Sequence, residues 1–318
     1  MTAPRHLIVP ALAVLALLLL PLGLTPYTTD LVLKIMVLAI FALSLELLVG
    51  MTGLVSLGHA AFFGIGAYMV VVASPEWEAG NLAVVIAAGV GAAAGYALVV
   101  GALSLRTQGV YFIMVTLAFA QMAYFLFHDT QLFGGSDGIF LNVRPVLGPL
   151  DTGDKGQMYY GVVGALAFTY ALLALLRRSR FGHALAGIRV NEQRMRAAGF
   201  NTYFYKLAAF VIAGALAGLA GTLLAIKDGM VNPELLSWHE SGAVLLMIIL
   251  GGLGHLRGAV LGAAAFTLLK ELYATPGLVG DFLASHWQLT LGFTIIAFVA
   301  LLPKGLIGLF ERLRGAKP

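Results

Sequence analysis

Apolar residues run through this chain in blocks about as long as a membrane is thick. A helix needs about 20 mainly apolar residues to cross a bilayer. On that rule the sequence offers about ten candidate spans: 6–24, 30–49, 54–73, 81–104, 109–127, 157–176, 207–226, 239–254, 258–273 and 286–302. The blocks at 239–254 and 258–273 are short and glycine-rich, the pattern of a broken or re-entrant span. The first block follows Arg5 in the manner of a secretory signal. Its run from Leu7 to Leu24 nevertheless exceeds the usual apolar region of about 7–15 residues, and no small-x-small cleavage site follows, so it reads as a retained helix.

The polar stretches between the blocks orient them. Connections with basic residues (Arg5, Arg106, the stretch 177–206, Arg257, and the tail with Lys304, Arg312, Arg314 and Lys317) alternate with connections that are acidic, mixed or uncharged (Glu76 and Glu78; Asp129, Asp137, Asp151 and Asp154 against Arg144 and Lys155; Lys227, Asp228 and Glu234; Asp281). Loops rich in Lys and Arg stay in the cytoplasm. With ten spans, both termini are expected there. The stretch 177–206 stands out, with Arg177, Arg178, Arg180, Arg189, Arg194, Arg196 and Lys206 against the single acid Glu192. A loop this long, with helical character, is a docking element for a soluble partner. Arg189 and Glu192, three apart, would share a helix face and pair, and Gly199 would end a helix.

Composition agrees. The 318 residues are 60% hydrophobic and 11% charged, with mean hydropathy +0.94. Soluble domains carry about 25% charged residues, so the chain is an all-α integral membrane protein, with residues 1–318 forming one domain. The formal net charge of +4 reflects orientation in the membrane, and no basic face with interleaved aromatics points to nucleic acid. The absence of cysteine excludes disulfides and thiolate chemistry. Within the spans the ionisable residues are Lys34, Glu46, Lys270 and Glu271, all near span ends where side chains snorkel; mid-membrane charge, the mark of an ion pathway, is missing. No phosphate-binding loop occurs, so ATP would have to be bound by another subunit. Gly134-Gly135-Ser136-Asp137-Gly138 fits G-x-S-x-G, but it follows an apolar helix and enters an outer loop, so it reads as a turn. No metal site and no cofactor are expected; His59 and His255 read as interfacial or packing residues.

Many of the 39 glycines lie in the spans. The pairs Gly91/Gly95, Gly214/Gly218 and Gly258/Gly262 have the spacing that lets helix backbones approach in lipid. The strings at 56–64 and 252–258 share a Leu-Gly-His cadence. An internal repeat and coincidence between glycine-rich helices account for it equally well.

Five ordered segments resemble the permeases of the branched-chain amino acid ABC transporter family, the LivM type. They are GLVSLGHAAFFGIGAY at 53–68, RTQGVYFIMVTLAFAQM at 106–122 with FGGSDGI at 133–139, GHALAGIRVNEQRMRAAGF at 182–200, YKLAAFVIAGALAGLAGTL at 205–223, and GGLGHLRGAVLGA at 251–263. The resemblance spans Leu31 to Gly308. It implies a type II ABC importer-like bundle in a bacterial inner membrane. A homologous second permease, two cytoplasmic ATPase subunits and a periplasmic substrate-binding protein would be its partners. It implies that Gly182, Ala184, Arg189, Glu192, Ala198 and Gly199 belong to the segment coupled to the ATPase, and that Gly134, Gly135 and Gly138 form the outer glycine turn. Gln193, Arg194, Met195 and Arg196 make this coupling segment more basic than the family pattern. The translocation path is expected along Phe62, Gly64 and Gly66 and along Tyr111, Thr116 and Gln121. An ion-coupled secondary transporter of small polar solutes is the alternative; a mid-membrane carboxylate would favour it.

Overall fold

The computed structural model describes residues 13–14, 16–23, 25–75, 77–148, 150–275, 285–302 and 304–313. About half of the first expected span, and residues 1–12 and 314–318 on which the expected placement of the termini rests, lie outside them. So do Asp281 and Glu76.

The chain is a helical bundle built round two long helices. The first, α1 (Pro26–Glu46), opens on Thr25, whose side chain accepts a bond from Thr28 N, with proline at the first helical position; its missing N–H costs nothing there. It continues through a π-helical segment, Leu47–Thr52, and stops at Gly53 with φ +76°. The others are α2 (His59–Ala73), α3 (Leu82–Ser104), α4 (Val110–Asp129), α5 (Lys155–Arg178), α6 (Arg180–Val190), α7 (Glu192–Ala197), α8 (Thr202–Asp228), α9 (Trp238–Gly251), α10 (Leu256–Ala274), α11 (Trp287–Leu301) and α12 (Gly305–Leu313). Two short antiparallel pairs decorate one end: β1 (Ile139–Phe140) with the distant β4 (Met230–Val231), and the hairpin of β2 (Val146–Leu147) with β3 (Leu150–Asp151).

Nine of the ten expected blocks coincide with these helices, but not all are full crossings. Among the described residues five helices are long and apolar enough to span a membrane, or six if α9 and α10, bent by 116° to one another, count as one broken span. The discrepancy is one of rise. The apolar run 54–73 holds an irregular stretch, 53–58, before a helix of 15 residues. At 1.5 Å per residue that helix reaches only about 22 Å, short of a ~30 Å hydrocarbon core.

The order long helix, irregular segment, short helix and two more helices occurs twice, as α1–α4 and as α8–α11. The two long helices run antiparallel: Lys227 near the end of α8 pairs with Asp30 near the start of α1, 3.0 Å. Each leads through a left-handed glycine, Gly53 or Gly229, into its irregular segment. The two short helices start against each other inside the bundle, where Ala60 N donates to Ser241 Oγ at 2.9 Å. His59 sits level with Ser44 of α1 (Nε2 to Oγ, 2.8 Å), roughly 12 Å back from the helix end at Thr52 at 1.5 Å per residue. The halves interlock: α8 packs on α2 and α3, while α1 packs on α10 and α9. The Leu-Gly-His cadence does not mark this repeat, because His59 opens a short helix whereas His255 precedes the helix after one.

Glycine sets how close the helices come. A Cβ on Gly66 would strike the backbone of Gly218, and one on Gly221 would strike the Phe63 carbonyl. Thr222 Oγ1 bonds the Gly66 carbonyl at 3.0 Å from the facing helix. Gly214 and Gly218 meet Ala97 and Ala93 of α3, and Gly258 and Gly262 meet the backbone of α9. A Cβ on Gly91 or Gly95 would have nothing within 4 Å, so this third pair packs no helix among the described residues. In the centre Phe41 stacks on His59 and Phe63, and Phe62 meets His59 and Phe210 edge-on.

Candidate functional site

The basic stretch 177–206 folds as two short helices set between α5 and α8; the first two junctions are one residue each and the third is residues 198–201. Ser179 ends α5 and caps α6, its Oγ accepting from Gly182 N at 3.2 Å. Asn191 ends α6 and caps α7, its Oδ1 accepting from Arg194 N at 2.9 Å. Ser and Asn suit this place because their short side chains satisfy amide donors left free at a helix start. Gly199, φ +88°, closes α7 in a Schellman arrangement: Gly199 N bonds Arg196 O at 3.0 Å and Phe200 N bonds Met195 O at 3.1 Å.

The six expected coupling residues divide by face. Gly182 and Ala184 are buried with Leu185 and Ile188, and a Cβ on Gly182 would run into the backbone of Leu176 and Arg177. They fasten α6 to the membrane helices. Ala198 and Gly199 are exposed. Arg189 and Glu192 do not pair, which corrects the spacing argument: α6 ends at Asn191 between them, so the geometry of one continuous helix is lost. Arg189 Nη1 donates to the carbonyl of Gly50 in the π segment of α1. Glu192 instead accepts from Lys206 (2.8 Å), Arg196 (2.6 Å) and Thr202 (2.9 Å). Partial burial would by itself raise its carboxyl, but the hydrogen bonds from Lys206, Arg196 and Thr202 outweigh that and hold it below the usual carboxylate range. Lys206, only 5% exposed, depends on this acid for its partner.

The free face of the element carries residues not singled out by motif. His183, Ala186, Val190 and Arg194 point to solvent, and Val190 is 83% exposed. With Gly187, Asn191 and Met195, three of them line a shallow cavity of about 370 Å³. The signal was in the helical register: with 184, 185 and 188 facing inward, 183, 186 and 190 must face outward.

The residues expected along a path also separate. Phe62, Gly64, Gly66 and Thr116 are buried in helix contacts: Phe62 against Phe210 and Tyr96, Gly64 against Leu236, Gly66 against Gly218, and Thr116 on its own helix at Ile113 O. Tyr111, 74% exposed, lies on a free face of α4 with Met114, Met122 and Phe125, and Gln121 is half-buried beside it. At the opposite end from the coupling element, Gly134, Gly135 and Gly138 all take positive φ. A Cβ on Gly134 would meet the Gly138 carbonyl, and one on Gly138 the Val231 carbonyl. The turn therefore clamps β1 to β4. Ser136 there bonds Asp137 Oδ1 at 3.2 Å, between two 3₁₀ turns and not on a strand-to-helix elbow.

Residues 27–300 match the family described as branched-chain amino acid transport system / permease component. The chain belongs to that family. Relatives include the high-affinity branched-chain amino acid transport system permease protein LivM of Salmonella typhimurium and that of Escherichia coli K12, each 30% identical over 96% of this chain and 76% of the relative. LivH of Salmonella typhimurium is 23% identical over 85% of this chain and 91% of its own. No solved structure matches. A member of this family is a permease component of an ABC importer, a transport subunit and not itself an enzyme.

Proposed function

We propose that this permease is one of two membrane subunits of an ATP-driven importer of branched-chain or closely related amino acids in a bacterial inner membrane. The observation that carries this reading is the α6–α7 element: two helices in a basic loop, joined to α5 at Ser179 and to each other at Asn191 by one residue each, and leading through residues 198–201 into α8. A domain that pushes on such an element moves the helices attached to it, which is what coupling a separate ATPase to a membrane path requires. Gly182 and Ala184 seat the element, Arg189 and Glu192 brace it, and Ala198 and Gly199 set its exposed end. The partners are a homologous second permease, two ATPase subunits and a periplasmic substrate-binding protein. The path runs between the two permeases, along the α4 face with Tyr111 and Gln121; Phe62, Gly64, Gly66 and Thr116 hold that face in place. Ten membrane segments, with α2 and α9 as short ones, put both termini in the cytoplasm. The outer turn Gly134–Gly138 faces the binding protein.

Reconstitution in liposomes tests the reading. The two permeases, the ATPase subunits and the binding protein are expected to accumulate labelled leucine, isoleucine or valine only with ATP and all components. Uptake driven by a proton or sodium gradient without the ATPase would establish the secondary transporter instead.

A further inference from the structure

Arg189 is itself exposed, but its guanidinium reaches into the end of α1. Its Nη1 donates to the Gly50 carbonyl, and its side chain lies over Gly53, where a Cβ would be 3.3 Å from Arg189 Cγ, and beside Gly254. Gly50 belongs to the π segment Leu47–Thr52, where each turn holds one extra residue and backbone groups are freed for outside partners. One turn earlier on the same helix stands Glu46. It is 1% exposed, its Oε2 has no hydrogen-bond partner, and the space a Cβ would take at Gly50 is filled by its carboxyl group. The backbone donors of Gly254 and His255, in the turn between α9 and α10, act on that carboxyl, and the cations acting on it are Arg189 and Arg177.

Three separate elements thus meet at one buried carboxylate: the last turn of α6, the π end of α1, and the α9–α10 turn. A buried carboxyl needs opposite charge and donors beside it or takes up a proton, and here the Gly50 backbone stands between it and Arg189. Moving α6 moves the Arg189 charge relative to Glu46, and the acid answers by shifting its hold on the Gly254–His255 turn. We infer that Arg189 and Glu46 are positioning residues that pass the motion of the coupling element to α1 and to the short helix α9, and that Arg189 is not an ATPase contact. This rests on the importer reading. It adds which residues carry the stroke once the ATPase has docked.

The test uses the complete reconstituted importer with Arg189→Met, Arg189→Lys, Glu46→Gln and the double variant Arg189→Met/Glu46→Gln. ATPase copurification, ATP hydrolysis and substrate uptake are measured separately on each. For Arg189→Met and Glu46→Gln, copurification is expected to stay at the wild-type level and hydrolysis to continue. The ratio of ATP used to substrate moved should rise about tenfold, a common size for energetic coupling between sites. Arg189→Lys should restore part of the ratio because it keeps the charge. The double variant should be no worse than the worse single one, as expected for residues acting as a unit. If Arg189→Met instead loses the ATPase, the residue is a docking contact and the inference fails. It fails equally if both single variants keep the wild-type ratio, or if their effects simply add. Should Arg189→Met not insert, Glu46→Gln and Arg189→Lys decide by the same ratio. A wild-type complex that neither binds the ATPase nor moves amino acids refutes the importer reading itself, a separate result.

Discussion

Lys206 is buried where a water-facing lysine would be expected, and Glu192 is what allows it. The sequence displayed the lone acid in a basic stretch, but not its partners: spacing pointed to Arg189, while the turn at Asn191 swung Glu192 towards Lys206 and Arg196. Replacing the acid by its amide keeps an acceptor but removes the charge opposite buried Lys206, which costs about 1–3 kcal/mol. Glu192→Gln should therefore loosen residues 192–206 by that amount at pH 7, read by hydrogen exchange. The effect depends on pH in a fixed sense. The folded carboxyl titrates below its unfolded value of about 4.3, so between the two values the unfolded chain holds more protons and stability rises with pH. The stabilisation is whole above about pH 4.3 and fades as pH falls through the folded value. Wild type and Glu192→Gln should then differ less at pH 4 than at pH 7; an equal gap at both would refute the role given to this carboxylate. Gly199 behaves differently. Its role as a helix stop was legible, and the structure adds that nothing lies within 4 Å of a Cβ there. Gly199→Ala is expected to cost only the ~1–2 kcal/mol of left-handed strain, without a clash, seen as faster exchange confined to α7.

Among the elements, the membrane helices were legible from apolar length, and the bent pair α9–α10 from two short glycine-rich blocks, but the short helix α2 was not. Hydropathy adds up residues and is blind to whether they are coiled, so the irregular stretch 53–58 was read into one span with α2. Glycine spacing was similarly ambiguous, because a G-x-x-x-G pair faces one side of a helix and the sequence does not say what that side meets. Gly66 and Gly218 meet each other across α2 and α8, whereas Gly91 and Gly95 meet nothing among the described residues. Gly66→Ala should destabilise the protein in detergent by about 1–3 kcal/mol through overpacking. Gly91→Ala should be neutral or stabilising by up to about 1 kcal/mol, the helix propensity difference. Melting temperatures of the two variants check this, and a loss at Gly91 as large as that at Gly66 would mean a further helix or partner packs there.

For the whole molecule, loop charge makes an expectation of orientation that remains for experiment, whereas the architecture left no such mark in the sequence. Loop charge predicts that reporters fused at Asp151 and Arg189 lie on opposite sides of the membrane; activity of both on one side would overturn the topology. The interlocked halves could not be read, since their likeness is in the order of long and short helices and not in shared residues. That interlocking bears on how the chain is made. Residues 59–73 form a helix too short to cross on its own, and its main neighbour, α8, begins at Thr202, more than a hundred residues further along. The ribosome must therefore deliver most of the protein before α2 has its seat. Until then Gly66 and Phe63 lack their backbone neighbours on α8, and α2 is held by α3, by α4 and by the contacts of His59 with Ser44 and Phe41 of α1. Nascent chains arrested before Thr202 should be open to membrane proteases over residues 53–73 and those arrested after Asp228 protected, so that biogenesis, like transport, waits on the second half.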